Sequence, residues 1–309
     1  MHRLTSIAGL CMGLSAMILA QDNSPAIFTS DTRLVVLHAS VLDKSGKLVT
    51  SLSESAFKVF ENGTEQKITT FRREDVPVSL GLLIDDSGSM RGKRDKVAAA
   101  ALALIKASNP QDEVFIVNFN DDAYLDVPFT ADLKRLEEGL TKIDSRGGTA
   151  MRDAVSMSLD YIKQKAKRDK KVLLIITDGN DTASNEGLEK LVQKVKTSDG
   201  VLIYAIGLLN EESKKDAKAA TRALHALTDS SGGLGYYPKE LPEVDQIALQ
   251  VAHEIRNQYI LAYSPGAQQL DGSYRQIKVT VKGPGNPIVR TRSGYYATPS
   301  EKVKQSSVK

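Results

Sequence analysis

The sequence predicts a doubly wound, mostly parallel α/β domain that is flanked on both sides by antiparallel β segments. Four continuous apolar runs in the middle of the chain are typical of strands that are buried on both faces in a parallel sheet. Segments with apolar residues three and four positions apart lie between these runs and indicate helices. Shorter apolar segments with polar alternation and turn signals occur before and after this region, which is typical of antiparallel strands.

Residues 1–20 have the layout of a cleavable secretory signal. An apolar stretch at residues 7–19 ends at Ala20, directly before the polar Gln21. This stretch is shorter than the roughly 20 residues that span a bilayer, although a membrane anchor is the alternative. We expect an exported protein, periplasmic or extracellular, that begins near Gln21 and has no integral membrane span after cleavage. The single cysteine, Cys11, lies within this segment, so the mature chain would contain no disulfide.

The predicted N-terminal β segment covers residues 27–75. Its apolar runs and the turns between them are, in order, residues 34–37, Asp-Lys-Ser-Gly at 43–46, residues 57–60, Glu-Asn-Gly-Thr at 61–64, and residues 68–71. An Asn-Gly pair between two such runs is a hairpin signal, so we expect antiparallel strands here.

The predicted α/β domain covers residues 76–257. Its expected parallel strands are residues 78–84, 114–117, 172–176 and 201–206, and its expected helices include residues 97–105, 133–143, 151–162 and 244–256. The apolar segment at 124–129 follows the second of these strands after the short connection Asn-Asp-Asp-Ala. Because a parallel crossover needs a much longer connection, we expect this segment to be an antiparallel hairpin partner at the sheet edge.

The predicted C-terminal β segment covers residues 258–297, with expected strands at 259–263, 274–281 and 288–291. The Lys- and Ser-rich residues 298–309 are predicted to form a disordered tail. Neither flanking segment alone offers enough strands for independent stability, so we expect the two to form one small β-sandwich into which the α/β domain is inserted. A spacer or stalk is the alternative.

The charge of the chain does not indicate a nucleic-acid partner. Lys and Arg number 41 against 38 Asp and Glu, a net charge of +3, and the basic residues are scattered except for a run at residues 163–171. We interpret this run as a solvated helix end, where the helix dipole favours cations.

Hard oxygen donors collect where two of the expected parallel strands end. Asp85, Ser87 and Ser89 follow the first strand, and Asp178 follows the third. An Arg-Gly-Gly turn delivers Thr149 at the start of a helix. Ligands of open α/β sheets bind at the carboxyl ends of strands, where the strand order reverses. When the antiparallel segment 124–129 is counted as the third strand of the domain, Asp178 follows the fourth strand. If the strand order is third, second, first, fourth, fifth, sixth, the first and fourth strands are neighbours, and the three loops converge.

This donor set predicts a site for one hard divalent cation. Three hydroxyls and two carboxylates lack the nitrogen and sulfur donors that Zn²⁺ or Cu²⁺ prefer, and they suit Mg²⁺, Mn²⁺ or Ca²⁺. Each aspartate taken alone is more commonly a helix cap or a turn residue. We interpret Asp86 as a loop residue that supports the ligands from outside.

The five positions resemble the metal-ion-dependent adhesion site of von Willebrand factor type A (VWA) domains. The matching pattern is Asp85-x-Ser87-x-Ser89, Thr149 and Thr177-Asp178-Gly179. This resemblance implies a Rossmann-like VWA domain in which Ser87, Ser89 and Thr149 are hydroxyl ligands. It also implies that Asp85 and Asp178 ligate directly or through water, and that Mg²⁺ is the usual ion.

Over residues 30–297 the arrangement is similar to that of the VWFA-related domain proteins of Acidobacteria. In those proteins a strand-rich segment with Asp-Lys-Ser-Gly and Phe-Glu-Asn-Gly turns precedes the VWA domain. The segments 259–265, 271–277 and 292–296 of this chain resemble the C-terminal strands of that family.

We expect a metal-dependent, adhesion-type binding module whose cation bridges to an Asp or Glu of a partner protein. A structural subunit that docks on a separate ATPase or envelope complex is the alternative, and a metal-assisted hydrolase is a weaker one. The histidines of the mature chain, His38, His225 and His253, are far in sequence from the metal loops, and no catalytic elbow or phosphate loop is present. A carboxylate that faces a cation is a poor base, so no enzymatic activity is expected.

Overall fold

The computed structural model describes residues 34–73, 75–141, 145–198, 200–266 and 269–298. The predicted signal segment and residues 299–309 of the predicted tail lie outside the described residues. Within the described part of the chain, no helix combines the length and the apolar character that are needed to cross a membrane.

The described elements form three successive groups along the chain. The first group is β1 (Val35–Leu42), β2 (Phe57–Glu61), β3 (Thr64–Gln66) and β4 (Ile68–Arg72). The middle group is β5 (Val78–Asp85), α1 (Arg94–Lys106), β6 (Glu113–Phe119), β7 (Ala123–Thr130), α2 (Leu133–Thr141), α3 (Met151–Lys165), β8 (Lys170–Thr177), α4 (Leu188–Thr197), β9 (Leu202–Gly207), α5 (Lys214–Ser231), β10 (Gly235–Tyr236) and α6 (Glu243–Arg256). The last group is β11 (Tyr259–Tyr263), β12 (Tyr274–Val281), β13 (Ile288–Arg290) and β14 (Gly294–Tyr296).

The middle group forms a six-stranded sheet in the order β10-β9-β8-β5-β6-β7. Its strands are parallel except β7, which pairs antiparallel with β6 as the short connection predicted. Strands β5 and β8 are direct neighbours, in register from Val78 opposite Lys170 to Ile84 opposite Ile176. The predicted fold class, a doubly wound and mostly parallel α/β domain with flanking antiparallel β segments, is confirmed.

The sheet is buried on both faces because its strands are apolar on both faces. Helices α1, α2 and α6 cover one face and share a core with it, and α3, α4 and α5 cover the other. All eight residues of β5 are buried, and each fully buried Leu or Ile adds about 1.5–3 kcal/mol of stability. The carboxyl ends of β5 and β8 are therefore held rigidly side by side.

The interpretation of residues 163–171 as a solvated helix end is wrong for Lys170. Helix α3 ends at Lys165, and Lys170 is the first residue of β8, with only 3% of its surface exposed. Its Nζ donates to the backbone oxygen of Ile255 at the end of α6. Burial lowers the pKa of Lys170 to about 7.

Strands from both ends of the chain combine in two four-stranded antiparallel sheets. Their orders are β13-β1-β11-β4 and β14-β12-β2-β3, so each contains strands from before and after the central domain. Apolar side chains of both sheets form one shared core, which includes Leu37, Val59, Leu261 and Val279. The chain leaves this sandwich after β4 and returns at β11, and these two strands are themselves paired. The two chain connections to the central domain therefore leave the sandwich from neighbouring strands.

This pairing predicts the effect of shortening the chain. A protein starting at residue 76 keeps β11 but lacks both of its neighbours, β1 and β4, and it keeps β12 without β2. We expect it to aggregate, because unpaired edges and an apolar sheet face are exposed. A protein limited to residues 76–257 lacks both sets of strands and should remain more soluble. Size-exclusion chromatography of the two proteins measures this, and equal monomer yields would contradict the prediction.

Candidate metal centre

The candidate ligands lie on three loops at the carboxyl edge of the central sheet. Asp85 is the last residue of β5, and a short 3₁₀ turn at Gly88–Gly92 leads from it into α1. Asp178 directly follows β8. Thr149 lies two residues before α3. Because the strand order reverses between β5 and β8, the loops that follow these two neighbouring strands lie together. This is the arrangement expected if the domain has the common doubly wound strand order.

Asp85 is held by its own loop and by the neighbouring strand. Its Oδ1 accepts a hydrogen bond from the backbone N–H of Ser87 at 2.8 Å. Its Oδ2 accepts from Oγ1 of Thr177, the last residue of β8, at 2.5 Å. The residue is fully buried, and burial raises the pKa of its carboxyl to about 6, although these hydrogen bonds act in the opposite direction. A cation would stabilise the charged carboxylate that burial disfavours.

Asp178 is connected to the two serines of the first loop. Its Oδ1 accepts from Ser89 Oγ at 2.8 Å, and the Oγ atoms of Ser87 and Ser89 lie 3.1 Å apart. Only 2% of Asp178 is exposed, whereas Ser89 is open to solvent. Four of the five predicted ligands therefore form one continuous chain of polar contacts with an accessible side.

The loop that carries Thr149 packs directly against the first loop. The backbone N–H groups of Gly88 and Arg146 donate across the gap to Gly147 O at 3.3 Å and to Asp86 O at 3.1 Å. Gly147 has a φ of 71°, and a Cβ there would lie 2.2 Å from Asp121 Oδ2. Any other residue here would have to displace the Asp121 carboxylate and would be strained by the positive φ. Thr149 is buried, and its backbone N–H donates to Thr182 Oγ1 at 3.0 Å, which ties this loop to the one that follows Asp178.

Asp86 turns away from the hydroxyl cluster. Its carboxylate accepts from Arg94 Nε at 3.2 Å and from Ser145 Oγ at 3.1 Å. Its backbone N–H donates to Phe119 O at 2.7 Å. Arg94 is almost completely buried and also donates to Asn118 Oδ1 at 3.0 Å. Asp86 thus stabilises the loop through a buried ion pair with Arg94. The sequence pattern did not identify Arg94 as its partner.

The residues present fit a hard divalent cation. The five predicted ligands supply only carboxylate and hydroxyl oxygen, which suits Mg²⁺ or Mn²⁺. In the described ranges, no group of three or more His, Cys, Asp or Glu side chains is placed to hold a metal ion. An ion at this site would therefore depend on the hydroxyls and on water as well as on Asp85 and Asp178.

Comparison with known protein families supports the fold of the central domain. Residues 80–180 match the von Willebrand factor type A domain family. The matched segment runs from β5 to just beyond β8, within the central α/β domain. Comparison with curated protein sequences finds no match.

Solved structures with this fold span bacterial and animal proteins. A von Willebrand factor type A protein from Catenulispora acidiphila is 13% identical with a TM-score of 0.52, and the alignment covers 89% of this chain and 76% of that one. Proximal thread matrix protein 1 from the mussel byssus, with a zinc-occupied MIDAS motif, is 14% identical with a TM-score of 0.51, covering 63% of this chain and 49% of that one. An aerotolerance-related membrane protein from Bacteroides fragilis is 16% identical with a TM-score of 0.48, covering 58% and 98%.

Proposed function

We propose that this protein is an exported, non-enzymatic module that holds one divalent cation and uses it to bind a partner protein through an Asp or Glu. The proposed ligands are those predicted from the sequence, Asp85, Ser87, Ser89, Thr149 and Asp178. The observation that carries the proposal is the continuous contact chain of Asp85, Ser87, Ser89 and Asp178 at the reversal of strand order.

The chemistry of the site favours capture of an acidic group. The bound cation would supply a coordination position for a carboxylate oxygen of the partner. The protein's own residues contribute position and charge. Two buried carboxylates formally balance a 2+ charge, and the neutral hydroxyls add no further negative charge, so the ion can accept one more anionic oxygen. Ser89 is exposed, so the site opens to solvent on its side.

We propose Mg²⁺ as the resident ion, with Mn²⁺ or Ca²⁺ as substitutes. The mussel protein carries zinc in its MIDAS motif, so Zn²⁺ belongs in the same titration. The absence of nitrogen and sulfur donors among the five proposed ligands predicts that Zn²⁺ gains less here than at a His or Cys site.

The proposed function predicts that partner capture requires the cation. Immobilised full-length protein is incubated with envelope proteins of its source cells, either with Mg²⁺ or with EDTA. The Mg²⁺ concentration is about 2 mM, which is expected to fill a weak site. We expect captured partners in Mg²⁺ only, and none on the Asp178→Ala variant. Asp245→Ala, which removes a half-exposed carboxylate from α6, is the matched control and should capture normally. Equal capture in EDTA would contradict the proposal and favour a metal-independent docking subunit.

A further inference from the structure

A lysine ammonium lies inside the candidate metal centre. Lys93 Nζ donates to Asp178 Oδ2 at 2.7 Å and lies 2.6 Å from Glu211 Oε2. The side chain of Lys93 is 12% exposed and that of Asp178 only 1%, whereas that of Glu211 is 76% exposed. The ammonium therefore bridges a buried proposed ligand and a carboxylate at the solvent edge.

The local backbone fixes where Lys93 starts. The residue joins the 3₁₀ turn at Gly88–Gly92 to α1, and its backbone N–H donates to Met90 O at 2.8 Å. Its carbonyl accepts from Val97 N at 3.0 Å, in the first turn of α1. Met90 is fully buried in the core beneath the turn. Because its backbone is anchored on both sides, Lys93 reaches the end of β8 through its side chain alone.

Both oxygens of Asp178 are engaged by the protein itself. Ser89 donates to Oδ1 and Lys93 to Oδ2. A divalent ion that ligates Asp178 thus meets a positive charge already paired with the same carboxylate. Two like charges a few ångströms apart in a partly buried site repel by several times the thermal energy. Glu211 offers the ammonium a second acceptor on the solvent side.

We propose that Lys93 is a tethered cation that neutralises Asp178 when no divalent ion is bound and weakens the site's affinity for divalent ions. This inference rests on the proposed function, because it concerns the same five ligands. The consequence is a site that fills and empties as the concentration of free cation changes, and whose loops keep their arrangement without the ion. Partner binding would then depend on the cation concentration outside the cell.

The test is calorimetric titration of the full chain with Mg²⁺ and Mn²⁺ alone, for wild type, Lys93→Met, Lys93→Gln and Lys93→Arg. We expect Lys93→Met and Lys93→Gln to bind at least about 10-fold more tightly, because the repelling charge is gone. Lys93→Arg keeps the charge and should stay within about threefold of wild type. Without metal, the thermal midpoint of Lys93→Met should fall below that of wild type, and saturating Mg²⁺ should close this gap.

Lys96→Met is the matched control. Lys96 lies in the first turn of α1, three residues after Lys93, and pairs with Asp245 of α6 outside the candidate site. Its loss should leave cation affinity unchanged. Equal affinities of wild type and both neutral Lys93 variants would overturn the role of Lys93 while leaving the metal site in place. A gain by Lys93→Arg as large as that of Lys93→Met would overturn the charge argument. Absence of cation binding in wild type and in all variants would overturn both this inference and the proposed function.

Discussion

Replacement of Asp178 by alanine is expected to lower the affinity for Mg²⁺ and Mn²⁺ by at least about 100-fold and to leave the fold intact. The side chain supplies one of the two carboxylates among the five proposed ligands, and Mg²⁺ tolerates few gaps in its near-octahedral shell. Its partners are Ser89 and Lys93, both polar and both near solvent. Lys93 retains Glu211 when Asp178 is absent, so no buried charge is left without a partner.

Asp85→Ala should lose the cation equally but should also lose stability. Asp85 is the acceptor for Thr177 Oγ1 and for the N–H of Ser87, and these three residues are buried. Leaving two buried donors without an acceptor costs about 1–3 kcal/mol each. Comparison of the two variants therefore separates the loss of cation affinity from the loss of fold stability.

Calorimetric titration with Mg²⁺ and Mn²⁺, beside circular dichroism, measures both effects. Asp245→Ala is the control, because it removes a carboxylate that also pairs with a lysine but lies outside the proposed site. Undiminished cation binding by folded Asp178→Ala and Asp85→Ala would show that the ion, if any, is held elsewhere.

The sequence predicted the central sheet well because its signals there are local. Strand β5 has apolar residues on both faces, with Leu80, Leu82 and Ile84 on one and Leu83 on the other, which is typical of a sheet covered on both sides. The strand order entered only as a condition, taken from the common doubly wound arrangement, and the structure has that order. Helices α4 and α5 were not among the predicted segments, and β3, β10 and β14 have only two or three residues each, too few for a period to be recognised.

The candidate ligands were visible in the sequence, but their surroundings were not. Asp85, Ser87 and Ser89 form a short local motif, whereas the Lys93–Asp178 pair joins residues 85 positions apart. A lysine near the start of a helix carries no sequence signal for such a contact. The prediction that Lys170 is solvated was wrong for the same reason, since its contact is distant in sequence. Its ammonium donates to a backbone carbonyl of α6, at Ile255, which is also 85 positions away.

A buried polar cluster joins the sandwich to the central domain. At its centre is Glu254 of α6, of which only 1% is exposed. Its carboxylate accepts from the following side chains: Ser40 of β1 at 2.8 Å, Tyr204 of β9 at 3.1 Å, Tyr236 of β10 at 3.1 Å, and Arg290 of β13. Gln258, between α6 and β11, donates to Ser40 Oγ and to Tyr204 OH, each at 3.1 Å. Burial beside this carboxylate raises the pKa of Tyr204 well above its usual range, which keeps its hydroxyl a donor.

Because one carboxylate is shared by both parts of the protein, Arg290→Met is expected to destabilise the whole fold by about 3–5 kcal/mol. The substitution keeps an unbranched apolar stem and removes the only full positive charge among these donors to Glu254, which leaves a buried carboxylate with neutral partners.

Lys58→Met is the matched control: it breaks the Lys58–Glu65 pair, whose side chains are 51% and 53% exposed, and should cost no more than about 1 kcal/mol. Urea unfolding followed by circular dichroism gives both free energies. Adding Glu254→Gln to Arg290→Met should restore part of the loss, since the unpaired charge is then gone. Equal losses for Arg290→Met and Lys58→Met, or no recovery in the double variant, would show that the cluster does not hold the two parts together through charge.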